Sequence, residues 1–370
     1  MKFSIPTSVL VSALELVIRA AAQRLTVPSL SCVLIETVGG KLRFSANDGE
    51  AGLRVETDAT IESDGSILVP AKRLYEIARN LPGADVAVEE ASSKIATITS
   101  GPSRFKIYGL DPDDFQALNL PVAGSSLSFK VGVSSLRTAL REVLSSVSSD
   151  TTRHILNGVL FNIETDGVSL VATDGRRLAV SKLVGVSVDG GPTKSFVLPT
   201  KGAGELLSVL EGEGDVFVLV NDNHASFQVS NVLLSSKLLD GTFPNYRQVI
   251  PSQYHNIATF DRNALLSVVR RISLIGDKST SIRFNFKEGA LSIESNLAEV
   301  GEGSETLAVE YTGKPISIGF NPSFITDTLK ALSDQSLVFR LGVDGTAPGV
   351  IAPKDGDRFL SVIMPMRVLA

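Results

Sequence analysis

The decapeptide VATDGRRLAV (171–180) sets an acid, a glycine and two adjacent arginines inside an otherwise apolar strand pattern. Three chemistries fit such a turn: an active-site acid with its cation, an anion or nucleic-acid contact through the guanidiniums, or a plain turn with solvated charges. Other candidates are few. DPDD (111–114) supplies the carboxylate pair Asp113 and Asp114 that a hydrolase could use, although a Pro-containing acidic tetrapeptide reads more readily as a turn. His154, His224 and His255 have neither H-x₃-H nor H-E-x-x-H spacing, and a single cysteine cannot build a zinc cluster, so no metal is expected. No G-x-S-x-G, Walker or G-x-G-x-x-G pattern occurs, and GEG at 212–214 and 301–303 reads as loop. No catalytic residue and no cofactor is therefore nominated.

The elements around these residues repeat. FSIPTSVLVSALEL (3–16), FKVGVSSLRTALRE (129–142) and ATFDRNALLSVVRR (258–271) each run from a short strand through a polar cap into an apolar helical face, with Leu10, Leu136 and Leu265 in register. A second helix recurs midway, at VPAKRLYEIARNL (69–81), LPTKGAGELLSVL (198–210) and FNPSFITDTLKAL (320–332), with a proline near each start, where a missing N–H costs little. Period-2 or short apolar runs fill the rest, among them 41–46, 94–99, 168–173, 215–220, 225–230, 290–295 and 336–341. The pattern predicts three domains, 1–122, 127–251 and 256–370, each of two similar half-units. The period exceeds that of a solenoid, so each third can own a core. Helices are expected over 7–24, 71–81, 134–148, 200–210, 261–275 and 322–333.

The 370 residues are 43% hydrophobic and 20% charged, the balance of an ordinary globular protein. Lys2 and a later alanine cluster give the N-terminus a faint look of a signal peptide, but Pro6, Ser12, Glu15 and Arg19 interrupt its apolar stretch. No run reaches a membrane span. The lone Cys32 excludes an internal disulfide and fits a reducing cytoplasm. The net charge of −5 argues against a nucleic-acid partner until its distribution is read. The six expected helices hold twelve basic and six acidic residues, +6, which leaves −11 on the remainder. Helices sharing one side would present a basic face on an acidic protein.

Taken together and in order, the N-terminal MKF, the triple repeat, LNGVLF (156–161), VATDGRRLAV, SKLLDGTFPNYRQVIP (236–251), GFN (319–321) and VIMPMR (362–367) resemble the bacterial DNA polymerase sliding clamps, the beta subunits of the replicative polymerase. The resemblance covers the whole chain. It implies an α+β DNA clamp fold of three topologically similar domains, each with two helices packed on antiparallel sheets. Two chains would close head to tail into a homodimeric ring. Twelve helices about 10 Å apart would line a hole of about 28 Å, room for a duplex and a water layer. Double-stranded DNA would be held by enclosure and by phosphate attraction, with no base read.

The resemblance assigns DNA-facing positions to Arg24, Arg73, Arg79, Arg137, Arg141, Lys201 and the loop residues Arg153 and His154, where the family often has an aromatic. One dimer edge would be Arg104, Phe105, Lys106 and Ile107, with Phe105 and Ile107 pointing one way. The other would be Ile272 and Leu274 with the acids Glu299, Glu302 and Glu305, a charge-steered heterologous contact. The turn that opened this section would wall a peptide groove made of Leu156, Thr173, Gly175, Arg176, Arg177, Leu178, Pro244 and Val249. Asn321, Phe324, Val362, Met364, Pro365, Met366 and Arg367 would complete it. Gly175 allows the tight turn, Arg177 supplies a fixed charge for a peptide carbonyl or carboxylate, and the methionines repack around different guests. The implied guests are short Leu- and Phe-bearing segments of polymerase, clamp loader and repair proteins. Gln248 where better-known members are basic, Ser279 where some carry an aromatic, and the extra Leu369 and Ala370 bear on the groove's shape and affinity.

Two other readings stay open. A monomeric clamp-like scaffold that binds peptides without encircling DNA would sediment near 39 kDa, and a hydrolase on DPDD would lose activity on changing Asp113 and Asp114.

Overall fold

The computed structural model describes the chain except residues 23–26, 93, 122–126, 166, 189–193, 277–279, 299 and 368–370. Arg24, Ser279, Glu299, Leu369 and Ala370 lie outside the described residues, as does most of the expected boundary at 121–127. Among the described residues, six α-helices form: α1 (Thr7–Val17), α2 (Ala71–Ala78), α3 (Val133–Leu144), α4 (Thr200–Val209), α5 (Arg262–Ile272) and α6 (Pro322–Ala331).

They start where the sequence predicts and mostly stop earlier. After α1 comes a 3₁₀ turn, Ile18–Ala20, and then Ala21 turns extended (φ −84°, ψ 133°). Ala22 N–H donates to the Leu30 carbonyl at 2.7 Å, so helical hydrogen bonding has ended by Ala22. Asp261 is a cap and not the first helical residue of α5: its carboxylate accepts from Ala264 N–H at 2.8 Å. Asn321 does the same for α6, accepting from Ser323 N–H at 2.8 Å, with Pro322 in the first turn. The far end of α6 is closed by Arg262, which donates to the carbonyls of Leu332 (2.8 Å) and Leu329 (3.3 Å).

The chain divides into two compact units. The first holds 1–134, 187–191 and 201–238. It contains a five-stranded sheet in the order Thr60–Ser63, Lys2–Pro6, Asp85–Ser92, Ile95–Ser100, Ser103–Tyr108, and a nine-stranded sheet. All its pairings are antiparallel. On α1 the buried side chains are Leu10, Ala13, Leu14 and Val17, an i, i+3, i+4, i+7 stripe turned into the core, and the helix packs against α2.

The second unit holds 135–186, 192–200 and 239–370. Its nine-stranded sheet runs Lys194–Pro199, Gly158–Glu164, Gly167–Thr173, Arg177–Lys182, Phe359–Ile363, Gly349–Pro353, Ser336–Leu341, Asn256–Asp261, Glu310–Thr312. Its four-stranded sheet runs Gly301–Ala308, Ala290–Leu297, Ile282–Lys287, Ile316–Phe320. Pairing is again antiparallel. Phe284, Phe320 and Phe339 make edge-on and stacked ring contacts at 5.2–6.2 Å, with Phe286 against Phe339 at 5.8 Å.

These units cut across the sequence thirds. Val232–Lys237 of the middle third pairs with Ala51–Thr57 of the first, and Arg177–Lys182 pairs with Phe359–Ile363 of the last. Strand ladders run on through the expected boundaries, so the two half-units of the middle third fall into different compact units.

Candidate functional site

The turn at 173–177 is built by its own side chains. Thr173 Oγ1 donates to the Arg177 carbonyl (2.6 Å) and accepts from Gly175 N–H (3.1 Å). Asp174 Oδ1 accepts from the backbone N–H of Arg176 (2.9 Å) and Arg177 (3.0 Å). Gly175 has φ +84°, a conformation that side chains disfavour, and a Cβ there would sit 2.6 Å from the Arg153 guanidinium. Gly175→Ala should therefore cost about 1–2 kcal/mol of stability, read as a fall in melting temperature, and should push Arg153 off the turn.

The charge of Arg177 is already spent. Its Nε donates to Asp174 (3.1 Å), its Nη1 to Asp327 on α6 (2.9 Å), and its guanidinium stacks 4.5 Å above the Phe324 ring, leaving the side chain only 10% exposed. The sequence reading gave Arg177 to a guest's carbonyl or carboxylate. The structure corrects this: two aspartates neutralise it, and it braces α6 against the turn. Arg176 beside it is exposed.

The turn opens the strand Arg177–Lys182, which pairs with Phe359–Ile363 so that Leu178 lies opposite Val362, itself opposite Val350. Val197, Leu160, Val171 and Val180 form the neighbouring row across the same sheet. Directly opposed residues share a face, and these seven side chains form one buried apolar cluster. Ile155, Phe243, Tyr246 and Ile250 pack on it, half-buried. Of the other expected groove residues, Leu156 is buried, Pro244 is exposed, and Val249 and Met364 stand 46% and 41% exposed. Met364 N–H is fixed to the Arg176 carbonyl (3.0 Å) and Met366 N–H to the Gly319 carbonyl (2.8 Å), which holds Met364, Pro365, Met366 and Arg367 beside α6, whose cap is Asn321. The buried apolar cluster is thus overlain by half-buried side chains, and Val249 and Met364 remain exposed.

All fifteen sequence-expected groove residues fall in the second unit, and Leu178 and Val362 belong to the buried cluster itself. Sequence reasoning missed Phe243 and Tyr246, although both lie in the quoted segment 236–251; their aromatic character inside a turn-rich stretch was the signal. Arg153, expected on a DNA-facing loop, is exposed and carries its guanidinium beside Gly175 at the turn.

The remaining candidates sit as follows. Arg73 on α2 and Arg79 at its C-terminal cap are exposed; Arg73 lies 3.6 Å from Glu76, and Arg79 rests on the Tyr75 ring. Arg137 is half-buried and Arg141 exposed on α3, and His154 is exposed in a 3₁₀ turn. Lys201 is ion-paired to Asp48, whose side chain is nearly buried, so its charge is locally cancelled. Ser103–Tyr108 is an edge strand, with Arg104, Phe105 and Lys106 exposed; Ile107, grouped with Phe105, is instead buried in its own unit, and Tyr108 is 75% exposed. Gly301–Ala308 is the edge of the four-stranded sheet and carries the exposed Glu302. Near it Leu274 is 82% exposed but Ile272 is buried. Glu305 is paired with Arg271 (2.9 Å), and this hydrogen-bonded cation holds its carboxyl below the usual range. DPDD is a 3₁₀ turn in which Asp111 caps Asp113 N–H (3.2 Å). Among the described residues no cluster of metal-ligating side chains occurs, and no helix is long and apolar enough to cross a membrane.

Three family models match the chain end to end: the DNA polymerase III beta subunit N-terminal domain over residues 1–119, its central domain over 130–245 and its C-terminal domain over 247–367. The beta sliding clamp of Chlamydia muridarum is 32% identical over 370 residues, covering 100% of this chain and 99% of its own. That of Pseudomonas aeruginosa is 31% identical over 375 residues, covering both chains in full. Among solved structures, a DnaN sliding clamp from Bartonella birtlesii bound to griselimycin superposes with a TM-score of 0.92 at 32% identity over 100% of both chains.

Proposed function

This chain belongs to the DNA polymerase III beta subunit family, the bacterial beta sliding clamps, and from that premise we propose how its own residues do the work of a clamp. It is a DNA sliding clamp with the three-domain clamp fold, a processivity factor in DNA replication. Two copies form a ring around duplex DNA in the cytoplasm and catalyse nothing. The replicative polymerase, the clamp loader and repair proteins dock short Leu- and Phe-bearing peptides in the groove.

One observation supports the groove: an apolar cluster already formed by Leu178, Val362 and Val350, with Val249 and Met364, on segments that adjoin it in sequence, left exposed. A guest side chain entering there removes its own surface and that rim from water, at about 25 cal/mol per Å². Thioether side chains repack at little cost, which suits one site to several guests. At the turn Asp174 and Asp327 are both bonded to Arg177, which favours a structural role for these charges over acid–base work.

Ring closure is supported by two free sheet edges of unlike charge. Ser103–Tyr108 presents Arg104 and Lys106 with the apolar Phe105 and Tyr108, while Gly301–Ala308 presents Glu302 with Leu274 close by in sequence to the end of α5. An unpaired edge is a template for another strand, and opposite charges set its direction. DNA is attracted by Arg73, Arg79, Arg137, Arg141 and His154. Enclosure rather than affinity retains it, so the local cancellation of Lys201 is tolerable.

The test loads the protein on nicked circular DNA and then linearises the circle. The ring should leave through the free ends; persistent tight retention on linear DNA would contradict enclosure. Sedimentation at micromolar concentration should give about twice the 39.2 kDa chain mass, and a 39.2 kDa species would favour a monomeric peptide-binding scaffold.

A further inference from the structure

The turn beside the proposed peptide groove has a counterpart in the first unit. SANDGEAG (45–52) folds as VATDGRRL (171–178) does. Asn47 Oδ1 accepts from Gly49 N–H (2.8 Å), as Thr173 Oγ1 does from Gly175 N–H. Asp48 Oδ1 accepts from the N–H of Glu50 (3.0 Å) and Ala51 (2.9 Å), as Asp174 does from Arg176 and Arg177. Gly49 takes φ +92° where Gly175 takes +84°. The strand register repeats as well. Asn47 lies opposite Gly52, Gly52 opposite Ser235 and Ser235 opposite Ser226, one row on one face. The same register sets Thr173, Leu178, Val362 and Val350 in a row. Lys237 N–H donates to the Glu50 carbonyl (2.8 Å), the bond that Met364 makes to Arg176.

The two rows differ in what fills them. Where the second unit has Leu178, Val362 and Val350, the first has Gly52, Ser235 and Ser226, small residues that leave room above the sheet. The chain's own segment 116–120 takes that room with one side chain. Leu118 is 9% exposed, whereas Gln116, Ala117, Asn119 and Leu120 around it are exposed. It rests on Gly52, where a Cβ would overlap a Leu118 methyl. The row also holds the segment on either side of that leucine. Asn47 Nδ2 donates to the Gln116 carbonyl (3.2 Å), and Ser235 Oγ donates to the Asn119 carbonyl. One leucine and two hydrogen bonds are contacts that another chain can supply equally well.

We propose that the first unit carries a second peptide site, built on the plan of the groove and closed by segment 116–120, which a short Leu-bearing peptide enters by displacing Leu118. The inference rests on the peptide-groove reading and extends it to a site that reading does not contain. Leu118 displays what the site takes: a branched apolar side chain set between two backbone carbonyls that Asn47 and Ser235 bond. A guest with the same elements makes the same contacts. It competes with a segment tethered in the same chain, whose effective concentration is high, so the site stays silent until that leucine is removed or lifted.

The experiment is a calorimetric titration of the full-length protein with a Leu- and Phe-bearing peptide, read as the number bound per chain. At micromolar concentration the wild type should take up one. Leu118→Ala should take up two, the second about 10–100-fold more weakly, because its seat offers less apolar surface than Leu178, Val362 and Val350. Val249→Ala with Met364→Ala, added to Leu118→Ala, should weaken the first event and leave the second. Ser235→Asp, added to Leu118→Ala, sets a carboxylate under the guest side chain and should return the count to one. A wild type that binds no peptide overturns the groove reading. One peptide per chain in both the wild type and Leu118→Ala overturns this inference alone, as does a second site that survives Ser235→Asp. If Leu118→Ala fails to fold, Ser235→Ala decides, since it removes only the hydroxyl that holds Asn119. At high peptide concentration its second event should come about 2–10-fold earlier than in the wild type, and the absence of any shift overturns the proposal.

Discussion

Truncating the groove rim, Val249→Ala with Met364→Ala, should weaken binding of a Leu- and Phe-bearing peptide by about 30–1000-fold while leaving the melting temperature within a degree or two. Both side chains are about half exposed in the free chain, so the folded state loses little when they are shortened. The peptide complex loses much more, because each rim atom is buried only when a guest sits on the floor. The pair is chosen over Arg177→Ala for that reason. Removing Arg177 would strand Asp174 and Asp327 and loosen α6, so a loss of binding there could come from damage to the wall. Unchanged affinity in the Val249/Met364 double variant would place the peptide elsewhere on the molecule.

The second large effect lies behind the groove. Arg358→Ala should destabilise the fold by about 2–4 kcal/mol, below the top of the range for breaking a buried pair, because Arg358 is itself 30% exposed and water can enter the vacated space. The Glu142 side chain on α3 is 1% exposed. Its carboxylate accepts from Ser181 Oγ at 2.6 Å and from Arg358 Nη1, while Arg358 Nη2 donates to Asp334 at 2.5 Å. The Arg358 carbonyl accepts from Lys182 N–H at 2.7 Å, at the junction of the two strands that carry Leu178 and Val362. Removing the cation leaves a buried carboxylate with one hydroxyl donor. Glu142→Gln should cost less, since the amide is neutral and Arg358 keeps Asp334. Equal losses in the two variants, by urea unfolding, would show that the stranded charge is not the cause.

The pH dependence has a definite sign. Burial raises the Glu142 carboxyl above its ordinary value, and the hydrogen bonds from Arg358 and Ser181 pull against that rise. The folded state therefore holds a proton that the unfolded chain has already released. This contribution is fully present below the unfolded value of about 4.3 and is lost as pH climbs through the higher folded value. In Arg358→Ala the opposing pull is gone, the window widens upward, and the deficit against wild type should be smaller near pH 4 than at pH 7.

Much of this molecule was legible along the chain. The repeat of strand, cap and apolar helical face predicted six helices at the right starts, because a 3.6-residue stripe and its cap are written in consecutive residues. The runs 41–46, 168–173, 215–220, 225–230 and 336–341 are strands for the same local reason. Helix ends were less legible. What stops α1 is Ala22 bonding to Leu30, and what closes α6 is Arg262, some 70 residues away.

The groove shows the same division. VATDGRRLAV marked its turn, since Thr173, Asp174 and Gly175 shape it through neighbours two to four residues off. That Arg177 is neutralised by Asp327, that Arg153 lies over Gly175, and that Glu142 sits buried against Arg358 depend on partners 150, 22 and 216 residues apart. The sequence by itself determined the family, the elements and the place of the turn, because those are short-range patterns of size, polarity and backbone preference. Only the tertiary structure decided which charges remain free to meet a partner, because a charge is cancelled by whatever the fold brings within a few ångströms of it, and chain order holds no record of that distance.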